Sequence, residues 1–191
     1  MKVLGIAGSP RRGGNTDLLL EQAMVGAKSA GAQTETLVIC EMTIAPCLHC
    51  DGCLKEGKCV IDDDMQLVYP KLREADRLVI ASPMFFMGLT AQTKALIDRC
   101  QALWALKYVL KQPVALNSGG GRKGLFFSVG GTGFAHLFES AMPTIKSWFA
   151  VIEVKYAGGL TFARIDEKGA IQNHPTALAD AFEAGKNLVM K

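Results

Sequence analysis

The stretch KVLGIAGSPRRGGNT, residues 2–16, contains the succession of local structures that decides the fold. Residues 2–7 form an apolar run that ends at a glycine-rich turn, which predicts a strand buried on both faces. Residues 16–30 carry apolar side chains at helical spacing and stop at Gly31, which predicts a helix. A buried strand followed by such a turn and a helix is the opening unit of a parallel α/β sheet.

The same alternation continues to the end of the chain. Further strands are predicted at residues 34–39, 77–82, 123–129 and 151–159. Further helices are predicted at residues 63–75, 91–108 and 135–149 and at the C-terminus. Within the first of these helices, Pro70 predicts a break, a kink or a shorter helix. The pattern predicts a flavodoxin-like three-layer αβα sandwich with a five-stranded parallel sheet in the order 2-1-3-4-5, whose ligand lies past strands 1 and 3.

Length and composition predict one domain over residues 1–191, with a cysteine-rich insertion at about 40–62 and a long loop at about 109–122. Hydrophobic residues at 49% and charged residues at 20% exclude global disorder. The net charge of +3 without a basic tract predicts no nucleic-acid partner. Because no apolar run reaches the ~18 residues that span a bilayer and no signal-peptide pattern is present, we expect no membrane association and a cytoplasmic location.

The turn at residues 8–16 joins the first strand to the first helix, where sheets of this kind bind anions. Arg11 offers a planar guanidinium that can pair with two phosphate oxygens. The other side chains predicted to hold a phosphate are Ser9, Asn15 and Thr16. The glycine spacing matches neither a Walker P-loop nor a Rossmann turn. The alternative is an ordinary turn capped by Thr16 with its arginines in solvent.

Two further segments are predicted to end at the same edge of the sheet. The third strand leads into SPMFFMG, residues 82–88, whose large apolar side chains suit a flat, partly apolar ring. Packing in the core or against another subunit is the alternative. The candidate residues of this loop are Pro83, Met84, Phe85, Phe86, Met87 and Gly88.

The fourth strand ends in SVGGTGFAH, residues 128–136, where glycines allow the backbone to approach a ligand closely. The candidate residues of this loop are Gly130, Gly131, Thr132 and Gly133. His136 has no partner in the sequence pattern, so we expect it to cap a turn or to face solvent.

Together, GSPRRGGNT (8–16) and ASPMFFMGLTAQTKALIDR (81–99) resemble the NADPH-dependent FMN reductase and iron–sulfur flavoprotein family, over residues 1 to about 159. The resemblance implies an FMN whose 5′-phosphate is held by the first motif and whose ring is lined by the other two loops. It also implies a homodimer or homotetramer with residues 40–62 and 84–88 at the subunit contact. The apolar segment 101–110, with Trp104 and Tyr108, fits such a contact. Phenylalanine departs from the tyrosine that the family usually has at the position of Phe85 or Phe86.

The segment CLHCDGCLKEGKC contains four of the six cysteines: Cys47, Cys50, Cys53 and Cys59. The spacing C-x2-C-x2-C-x5-C allows four thiolates to surround one metal centre. It resembles the compact motif of iron–sulfur flavoproteins, which implies a [4Fe–4S] cluster; zinc and free or disulfide-bonded cysteines are the alternatives. We expect His49 beside the ligands rather than among them.

Three neighbouring features have simpler explanations. Cys40 and Cys100 are expected to behave as small buried apolar residues. The acidic run IDDDM, residues 61–65, is expected to cap the next helix rather than bind a divalent metal.

The sequence contains no hydrolytic triad and no carboxylate pair placed for acid–base catalysis, so no residue is assigned as a catalytic acid or base. The implied flavin would carry the chemistry. We expect an FMN-dependent oxidoreductase that transfers electrons to a small acceptor such as a quinone or free flavin. The electrons would come from NAD(P)H, or from a ferredoxin-like donor through the cluster. The alternatives are a non-enzymatic flavodoxin-like electron carrier and a zinc-binding regulatory flavoprotein. Against the carrier, flavodoxins are usually acidic, whereas this chain has a pI of about 8.5.

Overall fold

A computed structural model of the protein describes residues 1–116 and 121–190. The strands in this part of the chain are β1 (Lys2–Ala7), β2 (Gln33–Val38), β3 (Arg77–Ala81), β4 (Lys123–Gly130) and β5 (Lys155–Ala163). They form a 5-stranded sheet in the order β2-β1-β3-β4-β5, and every neighbouring pair is parallel. The predicted fold class and strand order are confirmed.

Helices cover both faces of the sheet. They are α1 (Asn15–Ser29), α2 (Met65–Glu74), α3 (Ala91–Arg99), α4 (Gln101–Trp104), α5 (Met142–Val151) and α6 (Ala177–Met190). Successive residues of a strand point to opposite faces. Leu78 and Ile80 of β3 therefore join the core beneath α2 to α5, whereas Val79 and Ala81 join the core beneath α1 and α6.

Helices α1 and α6 approach each other closely through two glycines. A Cβ atom on Gly185 would lie 1.9 Å from the carbonyl oxygen of Ala23, and one on Gly26 would lie 2.0 Å from that of Phe182. Since real Cβ atoms do not come that near to backbone oxygens, a larger residue at either position would separate the helices. The contact fixes α6 and, with it, the end of the segment that follows β5.

Two predicted elements are displaced along the chain. The helix predicted at 135–149 begins at Met142, with Pro143 in its first turn, where proline is favourable. The strand predicted at 151–159 is found at 155–163. The apolar run VIEV misled the prediction, because Ile152 and Val154 are buried at the junction between α5 and β5 rather than in the strand.

Two predicted helices differ in their continuity. Helix α2 is shorter than predicted and continues through Pro70 without a break. Pro70 is the sixth of the ten residues of α2, so its missing N–H removes one interior hydrogen bond, to the carbonyl oxygen of Gln66. The helix predicted at 91–108 is divided at Cys100 into α3 and α4, which leads into a π-helical turn at Ala105–Val109.

Two other predictions concern the long loop and the membrane. Of the loop predicted at 109–122, residues 117–120 lie outside the described residues. In the part of the chain that the structure describes, no helix has both the length and the apolar character needed to cross a bilayer.

Candidate functional site

The carboxyl ends of β1 and β3 border a crevice, because the helices that follow these two strands lie on opposite faces of the sheet. A cavity of about 80 Å³ opens there. Its lining residues are Ser9, Arg11, Gly14, Asn15, Thr16, Pro83, Met84, Phe85, Val129, Gly131, Ile165 and Asp166. The fold thus brings residues of all three predicted segments to one place.

Ser9 and Arg11 shape the turn after β1. The buried Ser9 Oγ accepts a hydrogen bond from the backbone N–H of Arg11 at 3.0 Å. The Arg11 side chain is exposed and donates one long bond, 3.3 Å, to the carbonyl oxygen of Asp166. A guanidinium has five N–H donors, so most of those on Arg11 remain for an anion. Arg12, by contrast, pairs with Asp17 and Glu41 and does not line the cavity.

The positive end of α1 borders the cavity. The helix begins at Asn15 with Gly14 as its N-cap, and no side chain caps it. The cap that the alternative assigned to Thr16 is therefore wrong, since Thr16 is the second helical residue, although Arg11 and Arg12 are exposed as it predicted. The first N–H groups of a helix lack intrahelical acceptors and carry partial positive charge. Because Asn15 and Thr16 line the cavity, this charge is available to an anion there.

The Asn15 side chain has a structural role that the sequence did not predict. Its Nδ2 donates to the carbonyl oxygen of Glu167 at 2.9 Å, and its Oδ1 accepts from the N–H of Ile171 at 3.2 Å. Both ends of the amide therefore tie α1 to the segment after β5. An amide nitrogen has a second N–H, so the contact between this side chain and a phosphate stays a prediction, and the backbone N–H at the first helical position is a further donor.

Gly8 is needed for packing rather than for room beside an anion. A Cβ atom at this position would lie 2.1 Å from Thr93 Oγ1. Thr90, the N-cap of α3, donates from its Oγ1 to the carbonyl oxygen of Gly8 at 2.6 Å. The turn after β1 and the start of α3 are thus held directly against each other.

The loop after β3 is a tight turn with bulky side chains at its tip. Phe85 and Gly88 exchange two backbone hydrogen bonds, each 2.9 Å long. Between them, Phe86 and Met87 have φ values of 48° and 62°, a left-handed conformation that costs roughly 1–2 kcal/mol for a residue other than glycine. Phe86 is fully exposed and Phe85 half exposed. A strained turn that holds aromatic rings in solvent beside a crevice indicates a surface shaped for binding.

The loop after β4 forms another side of the crevice. Gly131 lines the cavity, and Thr132 and Gly133 are exposed next to it. Gly130 is buried at the end of β4, where its carbonyl oxygen accepts from the N–H of Ile165 at 3.1 Å. Phe134, which the sequence did not single out, is 67% exposed and adds a further aromatic side chain to this loop.

Sequence reasoning missed the segment after β5. Ile165 and Asp166 line the cavity, and Lys168 lies near Gly13, with its Nζ 3.9 Å from where a Cβ atom would be. Lys168 therefore brings a second positive charge to the turn after β1. The omission follows from the misplaced fifth strand, which put residues 164–168 beyond the edge of the sheet. A correct strand end at 163 would have placed them at the crevice.

Several isolated predictions can be checked directly. His136 is exposed and bonds Glu139 at 2.8 Å, which raises the pKa of the imidazole, so its predicted exposure to solvent is confirmed. Cys100 is buried, as predicted, and burial raises the pKa of its thiol to about 12. Cys40 is only half buried, in a 3-10 turn at Ile39–Glu41.

The four cysteines of the insertion surround one small cavity of about 20 Å³. They are free thiols, of which Cys50 is exposed and the others half buried. His49 and Asp51, which flank Cys50, have φ values of 49° and 57°. These left-handed residues bend the segment, and cysteines spaced along it reach a common cavity.

A buried ion pair lies against this cavity. Arg99, at the end of α3, lines the cavity and donates to Asp63 at 2.6 Å and 3.1 Å. Burial is the largest single effect and opposes the charged forms of both groups, but the hydrogen bonds and charges around them together outweigh it: the pKa of Arg99 lies above its ordinary value and that of Asp63 below. Asp63 also accepts from the N–H of Met65, the first residue of α2, so the predicted capping comes from Asp63, whereas the N-cap residue Asp64 makes no side-chain cap bond.

Four thiols are a suitable donor set for zinc or for a [4Fe–4S] cluster. Within residues 1–116 and 121–190, no three His, Cys, Asp or Glu side chains lie close enough together to hold one metal ion. Zinc needs four ligands at about 2.3 Å, which brings the sulfurs nearly into contact. A [4Fe–4S] core is larger and spreads its four thiolates apart. In this structure the four free cysteines line one cavity with a buried cation in its wall.

Comparison with known proteins identifies the family. The family described as NADPH-dependent FMN reductase matches residues 1–155. The chain belongs to the NADPH-dependent FMN reductase family.

Relatives within this family carry a more specific name. An iron–sulfur flavoprotein of Methanocaldococcus jannaschii is 37% identical over 163 residues, which is 85% of this chain and 77% of that protein. One from Methanosarcina thermophila is 42% identical over 126 residues, 65% of this chain and 66% of that protein. For the first three curated relatives, the matches span 66%, 53% and 64% of the relative's own length.

Solved structures of this fold agree with the strand order. The NAD(P)H:quinone oxidoreductase from Methanothermobacter marburgensis superposes with a TM-score of 0.72 at 19% identity, over 98% of each chain. At this identity the likeness concerns the fold alone.

Replacing Phe86 by Asn tests whether the tip of the turn after β3 is strained. Asn tolerates the left-handed conformation, and the fully exposed Phe86 ring loses little packing when removed. We expect the free energy of unfolding in urea to rise by up to about 1 kcal/mol. Phe85→Asn, at a residue without a positive φ, serves as the control and should not stabilise. A clear loss of stability in Phe86→Asn would contradict this account of the turn.

Proposed function

We propose that the protein is an FMN-dependent oxidoreductase that transfers electrons from NAD(P)H to a small acceptor such as a quinone or a free flavin. The observation that carries the proposal is the cavity at the crevice, where the uncapped start of α1 and the exposed Arg11 adjoin an aromatic turn. Positive charge suits a phosphate, and exposed rings suit a flat heterocycle. Membership of the family supports FMN as the molecule that has both.

The cavity is large enough to enclose only part of the cofactor. About 80 Å³ is well below the ~300–1,000 Å³ of pockets that enclose a whole drug-sized ligand. The 5′-phosphate would occupy the cavity, and the ring would lie on the open side, against Met84 and Phe85 and next to Gly131. Phe86 and Met87 extend the same apolar surface outward. This division agrees with the roles implied by the two sequence motifs.

When bound, the flavin would accept a hydride from NAD(P)H and pass the electrons on to the acceptor. The residues of this chain would bind and orient it. Arg11 would neutralise the phosphate, and the N–H groups of Asn15 and Thr16 would donate to its oxygens. The apolar side chains of residues 83–88 would exclude water from one side of the ring, and backbone N–H groups of 130–133 would reach its polar edge.

The insertion would add a one-electron site. We assign Cys47, Cys50, Cys53 and Cys59 as ligands of a [4Fe–4S] cluster, which would exchange single electrons with the flavin or with a ferredoxin-like donor. The four free thiols around one cavity support this. The names of the relatives, iron–sulfur flavoproteins, support it independently.

Exposed apolar side chains support association with a second copy of the chain. Phe86 in the turn after β3 and Leu48 and Val60 in the insertion are all more than half exposed. Trp104 and Tyr108 pack together, with ring centres 5.7 Å apart, and remain partly exposed. A homodimer or homotetramer would cover these groups if residues 40–62 and 84–88 lie at the contact. A cytoplasmic location and a single domain over residues 1–191 complete the proposal.

Oxidation of NAD(P)H by the FMN-loaded protein distinguishes an enzyme from an electron carrier. We expect steady turnover in the presence of a quinone or of free flavin, measured as loss of NAD(P)H absorbance. Protein without FMN is the control and should show only background. Turnover no faster than this background would favour the flavodoxin-like carrier.

Purification without oxygen tests the metal centre. We expect a brown protein that contains iron and sulfide together with flavin, measured by the visible spectrum and by metal analysis. Changing Cys53, which is among the four ligands, to Ser should abolish iron uptake, whereas Cys40→Ser should not. A colourless protein that contains zinc would reject the cluster and favour a zinc-binding regulatory protein.

The phosphate site can be tested by a pair of neighbouring arginines. Arg11→Ala should weaken FMN binding by about 1.5–3 kcal/mol, the size of a charged hydrogen bond. Arg12→Ala removes the same charge one residue further along but leaves the cavity unchanged, because Arg12 is engaged by Asp17 and Glu41. Fluorescence titration of both variants measures the difference. Equal effects, or unchanged affinity in Arg11→Ala, would contradict the assignment.

A further inference from the structure

Arg99 is a buried charge beside the cysteines. It lies at the C-terminal end of α3 and is 1% exposed. Its side chain lines the same 20 Å³ cavity as Cys47, Cys50, Cys53 and Cys59. A fully buried guanidinium requires a structural or functional reason, because removing its charge from water is costly.

Most of the guanidinium is hydrogen-bonded. One terminal nitrogen donates to Asp63 Oδ2 at 2.6 Å and to the carbonyl oxygen of Ala45 at 2.9 Å. The other donates to Asp63 Oδ1 at 3.1 Å and lies 3.4 Å from the carbonyl oxygen of Ile61. These bonds fix the plane of the group. They leave Nε, whose buried N–H has no acceptor in the described part of the chain.

An unpaired buried N–H normally costs about 1–3 kcal/mol, so a missing acceptor is expected nearby. The cavity wall offers sulfur. Among the cysteines of this wall, Cys59 is the nearest in sequence to Ile61, whose carbonyl oxygen lies 3.4 Å from the guanidinium. A thiolate at Cys59 would satisfy both the free donor and the positive charge.

The ion pair is oriented with respect to the cavity. Arg99 lines the cavity and Asp63 does not, although the Asp63 side chain is also buried, at 7% exposure. The positive partner is therefore nearer to the thiols than the negative one. The pair is neutral as a whole, but the cavity is exposed mainly to its positive end.

We propose that Arg99 is a positioning residue for the metal centre: its Nε–H donates to the Cys59 thiolate, and its charge makes the cluster easier to reduce. This inference rests on the proposed assignment of the four cysteines. A [4Fe–4S] centre with four thiolates is already an anion and gains one more negative charge when one electron enters, while all four iron–sulfur bonds to the protein persist. A buried cation stabilises the more negative, reduced form.

Two variants of the ion pair should shift the reduction potential in opposite directions. Arg99→Gln keeps a hydrogen-bond donor but removes the positive charge. At a fixed potential the ratio of reduced to oxidised cluster should then fall by about tenfold, which corresponds to a reduction potential lower by about 59 mV for one electron. Asp63→Asn removes the compensating negative charge and should raise the same ratio, by less, because Asp63 is farther from the cavity. Lys58→Gln is the matched control: it removes a charge next to Cys59 in sequence, but the Lys58 side chain is 80% exposed and screened by water, so the ratio should hardly change.

The measurement is a dithionite titration of reconstituted protein without oxygen, followed by electron paramagnetic resonance, with iron and sulfide content determined for each variant. A purely structural role for the ion pair predicts that both variants lose cluster or shift in the same direction, and either result overturns the proposal. If Arg99→Gln does not fold, Asp63→Asn still decides, because a ratio that does not rise contradicts the proposed charge effect.

The two proposals fail in different ways. Wild-type protein that binds no iron overturns the cluster assignment and the role of Arg99 together. The role of Arg99 alone is overturned by a different pair of results. In that case wild-type protein holds a full cluster, but the ratio of reduced to oxidised cluster in Arg99→Gln is unchanged or changes only as much as in Lys58→Gln.

Discussion

The parallel pairing of β1 with β3 is the constraint on which the rest of the structure depends. The two strands are neighbours in the sheet, yet α1 after β1 and α3 after β3 pack on opposite faces. Their connecting loops must therefore separate, and the gap between them is the crevice. The hydrogen bond from Thr90 to the carbonyl oxygen of Gly8 holds the two loops at a fixed spacing beneath it. A slip of one residue in this register would turn every β3 side chain to the wrong core.

Helix α3 connects the two candidate centres. It begins at the flavin-side turn, where its N-cap Thr90 contacts Gly8, and it ends at Arg99 in the wall of the cysteine cavity. Nine residues at a rise of about 1.5 Å give a span of about 13 Å. One rigid element therefore sets the separation between the proposed flavin and the proposed cluster. A change that shifts α3 would affect both centres, whereas a change at Arg11 concerns the flavin side alone.

Much of the fold could be predicted because the strands in the middle of the sheet are buried on both faces. The apolar runs of β1 and β3 therefore stand out clearly in the sequence, and the predicted bounds of β1, 2–7, are the observed ones. The edge strand β5 alternates between exposed and half-buried residues, so its apolar signal is weak and VIEV attracted the prediction instead. That error concealed Ile165, Asp166 and Lys168, since residues reach the crevice only if the strand before them ends at 163.

Site residues could be predicted where a position at the end of a strand and the type of residue found there point to the same role. Ser9, Arg11 and the turn 83–88 follow strands that meet at one edge, so the sequence places them together. The use of the Asn15 amide as a tether to Glu167 and Ile171 could not be foreseen, because it depends on a contact between distant parts of the chain. The burial of Arg99 was equally hidden: its sequence position marks a helix end, where an arginine is usually solvated.

The relative affinity for FMN and riboflavin tests the central claim most directly, since the two ligands share the ring and differ in the phosphate. If the phosphate binds to Arg11 and the start of α1, equilibrium titration of the flavin-free protein should give FMN at least about tenfold tighter binding than riboflavin, or about 1.4 kcal/mol. Equal affinity for the two flavins would show that the turn after β1 holds no phosphate, and the account of the crevice would be contradicted.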